Sequence, residues 1–175
     1  MSTGEDTDVK RIAALLRAQA IAIRAEVEGL GDELCSSRPA EDEWCVNEVL
    51  GHIVEAERRG FNGRIRSILE QDKPALQAWD QAGVARERHD DERASLDVLR
   101  EFEAVREDSV GLVAGLTPAQ LQRSGQHPHV GELTVRDLLH EWLHHDRNHV
   151  KQILSNVQAY VWPRMGNARR FSEFD

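Results

Sequence analysis

Cysteine is scarce in this chain: Cys35 and Cys45 are the only two in 175 residues, so no disulfide framework holds the fold and reduced thiols are expected. Long apolar runs are missing too, and the longest fall far short of the roughly 20 residues that span a bilayer. There is no basic excess. The formal net charge is -9 and the sequence pI about 5.4, which argues against nucleic acid or an anionic membrane surface as a general partner. The opening MSTGEDTDVK is polar and acidic, with no signal-type apolar segment behind it, so cytoplasm is the expected compartment. No strand-like alternation of useful length occurs, and no internal repeat. What remains is one domain's length, enough for a single sizeable core without metal or disulfide support. Residues 1–7 are expected as a disordered tail and residues 8–175 as a single helical-bundle domain.

Four segments carry helical periodicity. The first runs from Val9 to about Glu28, with Gly29 and Gly31 punctuating its end. GDELCSSRPAEDEW follows as a loop. The second helix spans about Cys45 to Glu70, with Gly60 and Gly63 marking a kink or a close contact. Asp72 to Asp91 is polar and irregular and predicts a crossover connection. A third helix covers Ser95 to Leu116, and AQLQRSGQHPHVGE reads as loop or a short helical turn. Thr134-x-x-Asp137 resembles a capping box and opens a fourth helix to about Tyr160, stopped by Trp162-Pro163. The expected fold is all-α, a four-helix bundle with one long crossover.

Histidine is where chemistry enters. His145 and His149 stand four apart in LHHDRNHVKQIL, so they stack one turn apart on one helix face and can converge on one divalent ion. A third imidazole from a neighbouring helix would complete a three-ligand site with open positions. On a helical wheel His149 falls inside the apolar face of the fourth helix and His145 on its margin. His52 lies on the margin of the second helix's apolar face. Asp146 and Glu57 lie near the centres of those two faces, where an unpaired carboxylate is costly. They can orient imidazoles through the second ring nitrogen, the usual outer partner of a ligating histidine. The plainer reading is a core histidine satisfied by a carbonyl, with Asp146 and Glu57 ion-paired to arginines such as Arg64 or Arg106.

His140-Glu141-Trp142-Leu143-His144 formally matches H-E-x-x-H, the zinc-peptidase pattern. Both of its histidines leave the apolar face, and the helix is rich in histidine throughout. A solvated face is the expected reading, with neither His140 nor His144 binding metal.

Three blocks resemble the DinB/YfiT-like superfamily of small metal-binding four-helix-bundle proteins. LGDELCSSRPAEDEWCVNEVLGHIVEAE is similar to the family's first loop and second-helix opening, with Trp44 at the entry. Gly131-Glu132-Leu133-Thr134-Val135 is similar to its entry into the last helix. HHDRNHVKQI is similar to its H-D-x-x-H block. The resemblance covers about Val9 to Tyr160 and implies His52, His145 and His149 as the metal ligands, with Cys45 standing where a capping serine or threonine is common. It further implies a divalent transition metal (nickel, zinc or iron) and a metal-dependent enzyme of the thiol S-transferase or hydrolase kind. A small-molecule substrate and a low-molecular-weight thiol cosubstrate go with that reading. Glu57 and Asp146 are the candidates for orientation or proton transfer. The alternative is a non-catalytic metal-binding or stress-response protein whose site is structural or empty. A homodimer is expected from the amphipathic outer faces.

Overall fold

The computed structural model describes residues 4–173. Helix α1 (Gly4–Cys35) runs past the expected stop at Glu28, through Gly29, and breaks at Gly31, whose φ of 71° is left-handed. Of the tail expected over residues 1–7, residues 1–3 lie outside the described residues, and α1 is drawn from Gly4. The second helix is built in three parts: α2 (Val46–Glu55), a π-helical segment (Ala56–Asn62) and α3 (Gly63–Glu70). The crossover carries a short helix α4 (Gln81–Arg88) and a 3-10 turn at Asp90–Glu92. Then follow α5 (Ser95–Ala114), α6 (Pro118–Leu121), strands β1 (Ser124–His127) and β2 (Gly131–Thr134), and the long α7 (Val135–Val161).

The apolar residues sort into two clusters, and the sorting gives the topology. One cluster takes Val9–Leu16 of α1, Phe61–Ile68 of the second helix, Val110–Leu116 at the end of α5 and Val135–Trp142 of α7. The other takes Ile23 and Val27, Val46–Val54, Val98–Phe102 and Ile153. α1 and α7 thus run one way, and α2–α3 and α5 the other. Parallel neighbours cannot be joined by a tight turn, so the chain needs the long crossover between α3 and α5. α1 packs on α5 and α7, and α2 packs on the same two, which leaves the sequence-adjacent α1 and α2 diagonal across the bundle.

Gly63 explains the π-helical segment. Its N–H bonds back to the Arg58 carbonyl, five residues earlier, and a Cβ at this position would sit 2.3 Å from that oxygen. Only glycine lets the wide turn close. The glycine pair read from sequence as a kink or close contact is therefore an inserted residue in the helix.

Two expectations need correction. The crossover is not irregular throughout: Asp80 caps α4 by accepting the Gly83 N–H at 2.9 Å, and His89 ends it in the left-handed region. The segment after α6 is not only loop. β1 and β2 pair antiparallel, Ser124 opposite Thr134, and Ala75 of the crossover bridges Gln126 in parallel. Four-residue strands of composition SGQH and GELT give no alternation to read, and their pairing is fixed by neighbours distant in sequence.

Charge fastens the crossover. Arg88 reaches Glu55 at 2.9 Å, Asp90 at 2.6 Å and Glu101 at 2.9 Å, while Arg93 reaches Asp90 at 2.6 Å and Glu101 at 2.8 Å. Asp90 fits because Gly51 has no side chain there: a Cβ would lie 1.7 Å from its Oδ2. At Glu101 burial alone would raise the carboxyl pKa, but hydrogen bonds from Arg88 and Arg93 and the nearby guanidinium charges win, holding it down at about 2 against an ordinary 4.5. A depressed carboxyl contributes stability in full above its unfolded value of 4.5 and loses it as pH falls through about 2. Glu101→Gln is therefore expected to be less stable than wild type at neutral pH and to lose less on acidification. Urea midpoints at pH 7, 4 and 3 check it, and parallel acid curves for the two proteins would refute it.

Candidate metal centre

His52 projects from α2 and is 4% exposed, while His145 and His149 project from the middle of α7 and are half-buried. One ligand atom from each lies within 4.8 Å of those of the other two. His52 Nε2 and His145 Nε2 are 3.1 Å apart. Two nitrogens bound to one ion at about 2.0–2.1 Å, some 90–110° apart, are separated by roughly 2.9–3.4 Å, so the observed spacing fits a shared ion. The rings are walled by aromatics: Trp44 is 5.1 Å and Trp79 6.2 Å from His52, centroid to centroid, and Phe61 is 5.2 Å from His145.

Burial favours the neutral form of His52 and His149, the form of imidazole that binds a metal. It pushes His52 down to about 3, helped by the neighbouring His149 and His145. His149 is lowered by burial and then by His145. Its Nδ1 lies 3.0 Å from Gln152 Oε1, and an Nδ1–H donated there leaves the Nε2 lone pair free for the centre.

Behind the histidines lies a buried polar layer of Glu57, Arg106 and Asp146, one side chain from each of three main helices. Arg106 holds the layer together. It donates to Glu57 Oε2 at 2.9 Å, to Asp146 Oδ2 at 2.7 Å and, through Nη1, to the Leu16 carbonyl at 3.1 Å. Of the two arginines weighed from sequence, Arg106 is the partner, and Arg64 bonds elsewhere. Burial raises the Glu57 pKa against the pull of Arg106. For Arg106 burial works against the charge, but the charges of Asp146 and Glu57 win and raise its pKa. Asp146 Oδ1 and His145 Nδ1 are 3.8 Å apart, both buried and without another partner. His52 Nδ1 also has none.

With the geometry in place, comparison with known proteins is decisive on family. Residues 14–153 match the DinB superfamily model. The chain belongs to the DinB superfamily. The uncharacterized protein YuaE of Bacillus subtilis is 29% identical over 139 residues, 73% of this chain and 86% of YuaE. A Geobacillus thermodenitrificans protein, provisionally named a metal-dependent hydrolase, is 28% identical over 162 residues, 89% of this chain and 87% of its own. YfiT from Bacillus subtilis superposes with a TM-score of 0.76, covering 95% of this chain and 90% of YfiT at 18% identity, a likeness of fold.

Other sequence candidates fall outside this DinB centre. His140 and His144 are exposed; His140 Nδ1 sits 2.9 Å from the Arg136 carbonyl and His144 Nε2 accepts from Asn148 at 3.1 Å. Replacing both by alanine is expected to leave metal content unchanged, as elemental analysis of the purified variant would show; loss of the ion in that variant would restore the peptidase motif. Cys45 heads α2, where its N–H donates to Glu48 at 2.9 Å, and it is not part of the histidine group. Both thiols are buried and pushed up by that burial, Cys35 to about 11 and Cys45 to about 12, so neither is a nucleophile near neutral pH. Sequence reading missed Gln152, Trp79 and Phe61 as parts of the surroundings. Gln152, one turn from His149, carried a local signal; Trp79 reaches His52 only through the crossover.

Proposed function

We propose that this protein is a metal-dependent enzyme acting on a small molecule, a hydrolase in the first reading, with His52, His145 and His149 as the ligands. One observation carries the proposal: three imidazoles converge, and among the described residues no fourth histidine, cysteine or carboxylate joins the group. Three protein ligands with open positions are the pattern of a catalytic site, whereas structural sites are closed by four. The Geobacillus relative's name supports hydrolysis, as does the description of YfiT as a probable metal-dependent hydrolase. Nickel, zinc and iron all suit an imidazole set.

When bound, the ion supplies a Lewis acid that polarises a substrate oxygen and lowers the pKa of a coordinated water or thiol. The chain's own residues do the rest. Gln152 fixes the ring of His149 through Nδ1. Asp146, held by Arg106, places Oδ1 3.8 Å from His145 Nδ1, where it favours the His145 tautomer that carries its proton on Nδ1. Glu57 is fully buried and bonded to Arg106, which suits holding the guanidinium rather than exchanging protons with substrate. Trp44, Trp79 and Phe61 shield the centre from bulk water.

The second reading is S-transfer from a low-molecular-weight thiol. It is favoured by the family resemblance and consistent with the inertness of Cys35 and Cys45, since the reactive sulfur must then arrive as cosubstrate. Metal analysis of freshly purified protein, followed by parallel screens of activated esters and of thiol transfer to an electrophile, separates the readings. About one ion per chain is expected, with activity lost on chelation and restored on adding metal back. Activity indifferent to chelation, or protein that purifies and remains metal-free in the presence of nickel, zinc and iron, would overturn the proposal.

A further inference from the structure

A cleft of about 770 Å³ lies between the second helix, the β hairpin and the first turns of α7. Phe61, Leu133 and Leu138 give it an apolar lining, and Arg64, His127 and Glu141 stand among its polar groups. It adjoins the histidine centre. Phe61 belongs to both, lining the cleft while meeting the His145 ring edge-on at 5.2 Å. Glu141 stands one helical turn, about 6 Å, before His145.

Arg64 is the unusual group here. Arg88, Arg93 and Arg106 each hold at least two carboxylates. Arg64 holds none among the described residues: its Nη2 bonds to the Gln77 carbonyl at 3.0 Å and to His127 Nε2 at 3.1 Å. Its Nε is buried without a partner. A half-buried guanidinium bears a desolvation cost that an anion would offset, and its planar fork matches a carboxylate. Of the two acids that line the cleft, Asp137 is already engaged by the Thr134 N–H at 2.9 Å and hydroxyl at 2.7 Å, and Glu141 makes no ion pair with Arg64.

We infer that this cleft binds a small molecule with an apolar body and a carboxylate, the carboxylate on Arg64, the body over Phe61 and Leu138, and the far end toward the histidines. As a statement of substrate class this rests on the function proposed above, but the binding itself is measurable without metal. The probe is 4-phenylbutyrate, titrated calorimetrically into wild-type protein as purified and after chelation, against 4-phenylbutyramide and phenyl phosphate. The acid is expected to bind in both preparations, the amide at least ten-fold more weakly and the dianionic phosphate no better than the acid. Arg64→Met should lose ten-fold or more of the acid's affinity, and Arg64→Lys less. Equal binding of acid and amide, no binding of the acid at millimolar concentration, or affinity unchanged in a folded Arg64→Met variant would overturn the inference; stronger binding of the phosphate would overturn its assignment to carboxylates. If Arg64→Met does not fold, the acid–amide comparison in wild type decides alone. Metal content measured on the same samples keeps the two claims apart: protein that purifies metal-free and takes up none of nickel, zinc or iron, yet still discriminates acid from amide, sinks the catalytic reading and leaves the cleft.

Discussion

Arg106→Met is expected to lower the free energy of unfolding by about 3–5 kcal/mol, the cost of stripping one partner from a buried ion pair. Arg106 is 2% exposed, Glu57 0% and Asp146 1%, so the two carboxylates cannot turn to water when the guanidinium goes. Methionine fills much of the volume, which makes the loss electrostatic rather than a cavity effect. The sign with pH follows. Burial already raises Glu57 above its ordinary 4.5, and without Arg106 the rise is larger. A carboxyl raised in the native state takes up more protons there than in the unfolded chain, so the variant's deficit shrinks as pH falls toward 4.5 and is greatest near neutrality. Replacing all three charges together, Arg106→Met with Glu57→Gln and Asp146→Asn, should recover a large part of the loss. Urea denaturation at pH 7 and pH 5 measures all of this, and a loss under about 1 kcal/mol for the single variant would refute it.

His52→Ala, His145→Ala and His149→Ala should each weaken metal binding by more than the ~10–100-fold typical of losing an outer partner of a ligand, while circular dichroism stays that of the wild type. The two apolar clusters are assembled from other side chains, so the bundle is expected to fold without these rings. Affinity should hold through the ordinary imidazole value of about 6.5 and weaken only well below it, as protons compete. The fall is expected to come late, because burial disfavours the protonated form of His52 and His149. Asp146→Asn should fall between wild type and the ligand variants, since it removes only the group facing His145. Wild-type affinity in any one of the three alanine variants removes that residue from the ligand set.

What the sequence showed plainly is what neighbours along one helix decide. The 3.6-residue period exposed four helices, Thr134 and Asp137 marked the start of α7, and the wheel placed Asp146 and Glu57 inside and His140 and His144 outside. The convergence of His52 on the α7 pair came from family likeness, not from spacing, because nothing local ties residue 52 to residue 145. The choice of Arg106 over Arg64 was illegible for the same reason. It depends on how α5 is rotated against α2 and α7, and both arginines look alike on a wheel. The π-helical segment shifts register: each turn there takes more residues than a uniform 100° wheel allows, so faces read across Ala56–Asn62 drift. The hairpin depends on contact with the crossover, and α4 on packing against α2, neither of which composition encodes.

The polar layer across the middle of the bundle has a mechanical meaning. It divides the domain into two short apolar bundles in series, joined where Glu57, Arg106 and Asp146 meet. A joint made of directional bonds yields sooner than interlocked side chains, so opening motions concentrate there rather than in either half. The three imidazoles span that joint from α2 to α7. An ion held by them would act as a rivet, and its loss would register first as faster amide exchange at mid-helix, with the apolar halves still protected.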